Sequence, residues 1–122
     1  MANVYKEFTL PKGRNFLRIT NTDATDDMVI ANILPHADVY DGFEMTVLLE
    51  IPSTADRKVI LKSRFTSPSN LNLDGTYGFD GQQQIEVQNG SVTATGYRAI
   101  AKFIWDSINS YWSEISRVRL SS

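Results

Sequence analysis

The side chains best suited to chemistry in this sequence are carboxylates concentrated in one third of the chain. They are Asp23, Asp26, Asp27, Asp38, Asp41 and Glu44. Oxygen-rich loops can bind Ca²⁺, and two carboxylates across a cleft can hydrolyse a glycosidic bond. The segment NTDATDDM lacks the ligand spacing of an EF-hand loop, and nothing selects any two of the acids. Because Asp is also favoured in turns, we interpret the group as turn residues, with a weak Ca²⁺ site within residues 23–44 as the open alternative.

Other catalytic and cofactor-binding groups are scarce. His36 is the only histidine and has no nucleophile motif nearby, so we interpret it as a surface or turn residue. The absence of cysteine excludes thiolate catalysis and cysteine-ligated metals. Gly75, Gly78 and Gly81 are three apart, but no Gly-Lys-Ser/Thr motif follows, which favours an irregular surface loop over a phosphate-binding one. The sequence therefore predicts neither an enzyme nor a cofactor.

Aromatic side chains are the remaining candidates for binding, because they could form a platform on which sugars stack. Strands point about half of their residues inward, so most of these aromatics are predicted to be core or subunit contacts. Tyr77 and Phe79 lie in a Gly-rich loop and are the best exposed candidates. The full set is Tyr40, Phe43, Tyr77, Phe79, Tyr97, Trp105, Tyr111 and Trp112.

Length and charge restrict the class of protein. A chain of 122 residues is predicted to form one domain spanning residues 1–122. Its formal net charge is −2 and it has no basic run, so we expect no nucleic-acid partner. The longest apolar stretches, such as residues 45–51, are too short to cross a bilayer, and the N-terminal segment has no apolar core of a signal peptide. We expect a protein made in the cytosol without a membrane partner.

Short segments that alternate between apolar and polar residues are separated by turn residues such as PKG, YDG and PSTAD. This pattern is typical of an all-β sandwich or barrel. Asn-Gly within QNGS favours a type I′ turn, which would pair residues 84–88 with residues 91–95. Strands are predicted near residues 4–10, 15–20, 28–34, 43–51, 57–65, 70–73, 83–88, 91–105 and 110–119.

The segment AKFIWDSINSYWSEIS, residues 101–116, fits two structures. Its isoleucines, with Tyr111 and Trp112, recur at helical spacing, whereas Phe103 and Trp105 alternate with their neighbours as in a strand. A helix would have poor caps and would crowd its middle with Asp, Ser and Asn, which prefer turns. We predict strand–loop–strand, with the helix as the alternative.

The order of these features resembles that of small β-sandwich (jelly-roll-like) domains in bacteriophage fibre and other virion surface proteins. The stretches that carry the resemblance are DGFEMTVLLEI, NLNLDG, AKFIWD and SYWSEIS, within residues 15–118. The resemblance implies an antiparallel β-sandwich without enzymatic activity. It also implies a homotrimer with apolar or aromatic strand faces around a threefold axis.

From this resemblance we expect a virion structural protein that is made in the host cytoplasm and contacts other virion proteins. It would be a decoration, head-fibre or tail-fibre domain on the capsid or tail. The chain begins with Met a few residues before the first predicted strand, which favours a short separate accessory protein, such as a head-decoration or head-fibre protein, or an excised domain. Because aromatics dominate the energetics of interfaces, the predicted subunit contacts are Phe103, Trp105, Tyr111 and Trp112.

The alternative function is that of a carbohydrate-binding module. Tyr77 and Phe79, with Tyr40 as a further candidate, would stack on sugar rings. Asp74 or Asp80 would accept hydrogen bonds from the sugar hydroxyls. The two functions overlap, because a domain on a virion surface can also bind a host surface glycan.

Overall fold

The computed structural model describes residues 3–22, 26–51, 57–63, 69–73, 84–88 and 98–120. These ranges contain β-strands and no helix, which confirms the all-β prediction. The strands are β1 (Asn3–Thr9), β2 (Phe16–Thr20), β3 (Asp27–Leu34), β4 (Glu44–Glu50), β5 (Lys58–Leu61), β6 (Leu71–Asn72), β7 (Ile85–Gln88), β8 (Arg98–Asp106) and β9 (Tyr111–Leu120).

The strands form two sheets, and the chain changes sheet at every step from β1 to β8. One sheet has the order β1-β3-β5-β7, and the other has the order β2-β4-β8-β9-β6. Strands that are neighbours in a sheet are therefore often two apart in the sequence and run in the same direction. The pairs β1/β3, β3/β5, β2/β4 and β6/β9 are parallel, so the predicted antiparallel arrangement is wrong for these four pairs.

The two sheets share one hydrophobic core. Alternate residues of each strand point inward, as period-two patterning requires, and Met45, Val47 and Leu49 of β4 are almost fully buried. Core residues of the four-stranded sheet include Ile30, Ile33, Val59, Leu61, Ile85 and Val87, and those of the five-stranded sheet include Leu17, Ile19, Leu71, Ala101, Phe103 and Trp112.

The segment 101–116 is a hairpin, which confirms strand–loop–strand. Strands β8 and β9 pair antiparallel, with Trp105 opposite Trp112. Asp106 holds the turn, because its Oδ1 accepts hydrogen bonds from the backbone N–H groups of Ile108 and Asn109, both at 3.0 Å. Such side-chain bonds to the following backbone favour a turn over a continued helix.

A β-bulge in β9 changes which side chains face the core. Phe103 pairs with Glu114 and Lys102 with Ser116, so Ile115 is left as the extra residue. In a regular strand, residues three apart point to opposite faces. The extra residue instead lets the side chains of Glu114 and Arg117 meet, and both are almost fully buried.

The predicted hairpin at QNGS is only partly within the described residues. Strand β7 pairs with β5 in antiparallel register, with Val59 opposite Val87. The expected partner, residues 91–95, lies outside the described part of the chain.

Candidate binding surfaces

Two of the predicted subunit contacts lie in the core. The side chains of Phe103 and Trp112 are fully buried within the single chain, so they have no surface to offer a partner. Both residues are therefore part of the core of the single chain. The physical reason is strand alternation, because Phe103 shares the inward face of β8 with the buried residues Ala99 and Ala101.

Trp112 is also fixed by polar contacts. Its indole Nε1–H donates a hydrogen bond to the carbonyl oxygen of Ile33 in the opposite sheet at 2.7 Å. Asn70 joins the same group, because its Nδ2 donates to the Ile33 carbonyl at 2.7 Å and its Oδ1 accepts from the Ile33 N–H at 3.0 Å. Trp112 of β9 and Asn70, which directly precedes β6, thus join the five-stranded sheet to Ile33 of the four-stranded sheet.

The other two predicted contacts are half-buried at the hairpin end. Trp105 packs against the core, and its ring centroid lies 4.9 Å from that of Trp112. Tyr111 begins β9 directly after the turn. Part of each side chain reaches solvent, so their role in a subunit interface stays a prediction.

The outward face of the five-stranded sheet carries apolar side chains that the sequence analysis did not select. Leu48 of β4, Ile100 of β8 and Val118 of β9 are direct neighbours across three adjacent strands. We call these three residues the apolar row. The exposed fraction of Val118 is 53%, whereas Ile100 is half-buried and Leu48 is buried within the chain. Ile104, four residues after Ile100 on the same face of β8, is also exposed.

Charged residues of both signs surround the apolar row. Arg18 continues the row on β2, and its Nε lies 3.5 Å from the Oε1 of Glu50. Arg98 and Lys102 flank Ile100 on β8, and Glu44 lies opposite Ile104. The outward face therefore has an apolar centre and a mixed charged border.

A second surface lies at the end of the molecule where the loop of residues 35–43 meets the hairpin. We call residues 35–43 the aromatic loop. The Gly42 N–H donates to the Trp105 carbonyl at 2.8 Å, and the Trp105 N–H donates to the Phe43 carbonyl at 2.9 Å. The Asp41 Oδ1 accepts from the Ser107 N–H at 2.9 Å. These bonds fix the aromatic loop against the turn of residues 107–110.

Rings within the aromatic loop connect the surface to the core. Tyr40 is 66% exposed and contacts Phe43 edge to face, with ring centroids 5.5 Å apart at 88°. The Phe43 ring in turn lies 6.5 Å from the buried ring of Trp112. Tyr40 is therefore an exposed aromatic side chain whose ring packs on Phe43, which in turn contacts the core.

His36 has a structural role within the aromatic loop. Its Nδ1 accepts a hydrogen bond from the Asp38 N–H at 3.1 Å, which makes Nε2 the donor to the Arg14 carbonyl at 2.9 Å. Both ring nitrogens are therefore used to hold backbone groups, and the imidazole packs edge to face on Phe43. This placement agrees with the interpretation of His36 as a turn residue.

The described acids mainly organise backbone. Asp27 accepts from the Lys58 N–H at 2.9 Å, and Asp26 and Asp27 border an open pocket of about 180 Å³. The side-chain amide and the backbone N–H of Asn109 hold the pKa of Asp106 below its usual value. Within the described ranges, no group of three or more His, Cys, Asp or Glu side chains is arranged to bind a metal ion.

Most of the predicted sugar-binding residues cannot be placed. Tyr77, Phe79, Asp74 and Asp80 lie outside the described residues, as does Asp23 of the acidic group. Tyr40 is the one residue of the sugar-binding hypothesis that the structure describes, and it is exposed.

Comparison with family models and with curated proteins gives no relative from which a function could be transferred. No family model matches the sequence, and no curated protein matches it. In the described part of the chain, no helix is long and apolar enough to span a membrane.

Proposed function

We propose that this chain is a non-enzymatic structural protein of a phage virion, a homotrimeric surface domain on the capsid or tail. The sequence resemblance to virion surface domains supports the location. The observation that carries the proposal is the apolar row on the outward face of the five-stranded sheet, in which Val118 and part of Ile100 are exposed next to the buried Leu48. The core shared by both sheets supports a β-sandwich, and the relation to jelly-roll domains rests on the order of sequence features.

The composition of the outward face supports association through it. A sheet face that remains in water is normally polar, whereas here Val118 and part of Ile100 are exposed beside Leu48. Ile104 is a further exposed apolar residue on this face, beyond the polar neighbours Thr46, Lys102 and Ser116. An apolar centre with a polar border is the usual anatomy of a protein interface. Burial of Val118, which is half exposed in the single chain, would add to the stability of an assembly.

The border favours a second copy of this chain as the partner. Arg98 and Lys102 on β8 and Glu44 on β4 give the face both signs of charge. A copy of the same face can therefore place opposite charges against one another, which orients the contact. In a trimer the contact is heterologous, which means that one part of the face on each subunit meets a different part on the next subunit, and the three contacts close a ring.

Paired variants test this assignment. Val118→Glu places a charge at the most exposed position of the apolar row, and we expect it to reduce the oligomer to a monomer. Ile108→Glu is the matched control, because Ile108 is 87% exposed in the turn and outside this face. Sedimentation velocity of both variants, with circular dichroism to verify folding, separates the outcomes. A folded Val118→Glu variant that retains the mass of the unmodified oligomer would overturn the assignment of the interface.

A further inference from the structure

We propose that the aromatic loop, together with the hairpin turn, is a binding site for a neutral saccharide, with Tyr40 as the stacking residue. The starting observation is the exposure of Tyr40. Two-thirds of its surface is accessible, although its ring is held edge to face by Phe43. An exposed aromatic ring that is already held in place by a neighbouring ring offers a ligand apolar surface at small cost in conformational entropy.

The site is preorganised by bonds on both sides of Tyr40. The Phe43 N–H donates to the Tyr40 carbonyl at 2.9 Å, and the Val39 N–H donates to the His36 carbonyl at 3.2 Å. The bond from Ser107 to Asp41 then ties the loop to the turn. Because little order has to be gained on binding, even a small ligand contact area can yield measurable affinity.

Hydrogen-bond acceptors lie close to Tyr40 in the sequence of the aromatic loop. Asp38 and Asp41 are both exposed and lie two residues before and one residue after Tyr40. Asp41 uses Oδ1 for the Ser107 N–H. Sugar hydroxyls are donors, and hydrogen bonds to a carboxylate are stronger than those between neutral groups.

The charge of these flanking groups selects the ligand class. Two exposed carboxylates in the same loop disfavour an acidic sugar, because like charges repel at short distance. The combination of an apolar ring face with many hydroxyl donors is the chemistry of a neutral sugar. Tyr40 is not part of the outward face of the five-stranded sheet, so this inference does not rest on self-association.

The first test is a glycan array that carries neutral and acidic oligosaccharides, probed with the full chain. We expect retention on neutral glycans and none on sialylated or uronic-acid glycans. Retention on acidic glycans alone, or on none, would overturn the proposal. A fluorescence titration with a lysine-rich peptide tests the competing cationic ligand, and saturable binding of that peptide without sugar binding would also overturn it.

Variants then locate the site with the best neutral glycan as the probe. Tyr40→Ala should weaken binding about tenfold, as for loss of a central aromatic contact. Tyr40→Phe keeps the ring and should bind within about twofold of the unmodified chain. Tyr5→Ala is the matched control, because Tyr5 has the same exposed fraction of 66% on β1. Equal loss in Tyr5→Ala and Tyr40→Ala, or no loss in Tyr40→Ala, would contradict the assignment of the site.

Discussion

The indole of Trp112 in β9 donates a hydrogen bond of 2.7 Å to the carbonyl oxygen of Ile33 in β3, so a side chain from one sheet satisfies the backbone of the other. Buried polar groups that lack a partner are costly. The contact therefore fixes the position of β9 relative to β3, and it explains how the polar N–H group of a fully buried indole is accommodated in the core.

We expect Trp112→Phe to destabilise the fold without changing the number of chains in the oligomer. The variant loses one buried hydrogen bond and part of the ring volume, which together cost about 2–4 kcal/mol in the free energy of unfolding. Urea unfolding measures this loss, and Trp105→Phe, at a half-buried ring, should cost less. If Trp112→Phe were as stable as the unmodified chain but dissociated more readily, Trp112 would be a subunit contact after all.

The buried pair of Glu114 and Arg117 gives a second prediction. Two hydrogen bonds of 2.6 Å join the guanidinium to both carboxylate oxygens, and Arg117 also donates to the Gln84 carbonyl at 3.3 Å. Arg117→Met leaves a carboxylate buried without its main partner and should cost about 3–5 kcal/mol. The double variant Glu114→Gln/Arg117→Met should cost clearly less than the sum of the two single variants.

This prediction is checked by a double-mutant cycle in urea, with Lys58→Met as a control for an ion pair that is more exposed. The Nζ of Lys58 lies 3.0 Å from the Oε1 of Glu86, with about a third of the lysine side chain accessible. We expect a change within about 1 kcal/mol for Lys58→Met. Additive costs at residues 114 and 117 would show that the two charges do not depend on each other.

The hairpin turn gives a prediction about pH. Hydrogen bonds from the Asn109 side chain, from its backbone N–H and from the Ile108 N–H lower the pKa of Asp106 from 3.8. Because the pKa of Asp106 is lowered on folding, the ionised carboxylate stabilises the folded state. This contribution is fully present above the ordinary pKa of 3.8 and is lost as the pH falls through the lower pKa of the folded state. We expect an NMR titration of the Asp106 carboxyl carbon to have its midpoint below 3.8.

Asp106→Asn is the control for this titration. Asn can accept the same backbone hydrogen bonds but cannot ionise over this range. The acid-dependent shifts of the Ile108 and Asn109 amides should therefore disappear in the variant. A midpoint at or above 3.8 in the unmodified chain would show that the turn does not favour the ionised carboxylate.

Local features of the fold were predictable from the sequence. Period-two alternation predicted a strand close to the observed β4, and the predicted strand of residues 91–105 covers most of β8, its residues 91–97 lying outside the described part of the chain. The Asp, Ser and Asn residues after Trp105 correctly indicated a turn. The order of strands was not predictable in the same way. Because the chain moves to the other sheet after nearly every strand, sheet neighbours are separated in sequence, and short-range turn rules do not specify their pairing.

The candidate interface could have been found from one residue. Lys102 is exposed, and strand alternation then places Ile100 and Ile104 on the same outward face and Phe103 on the inward face. Preference for aromatic residues led instead to the buried face. The contact between Glu114 and Arg117 had no such signal, because it depends on a bulge that the sequence pattern does not reveal.

The most direct test of the central proposal is the mass of the purified chain in solution. Light scattering on a sizing column, across a concentration series, should show three chain masses that persist on dilution. A monomer at every concentration would contradict assembly through the outward face of the five-stranded sheet and would remove the main physical support for a trimeric virion protein.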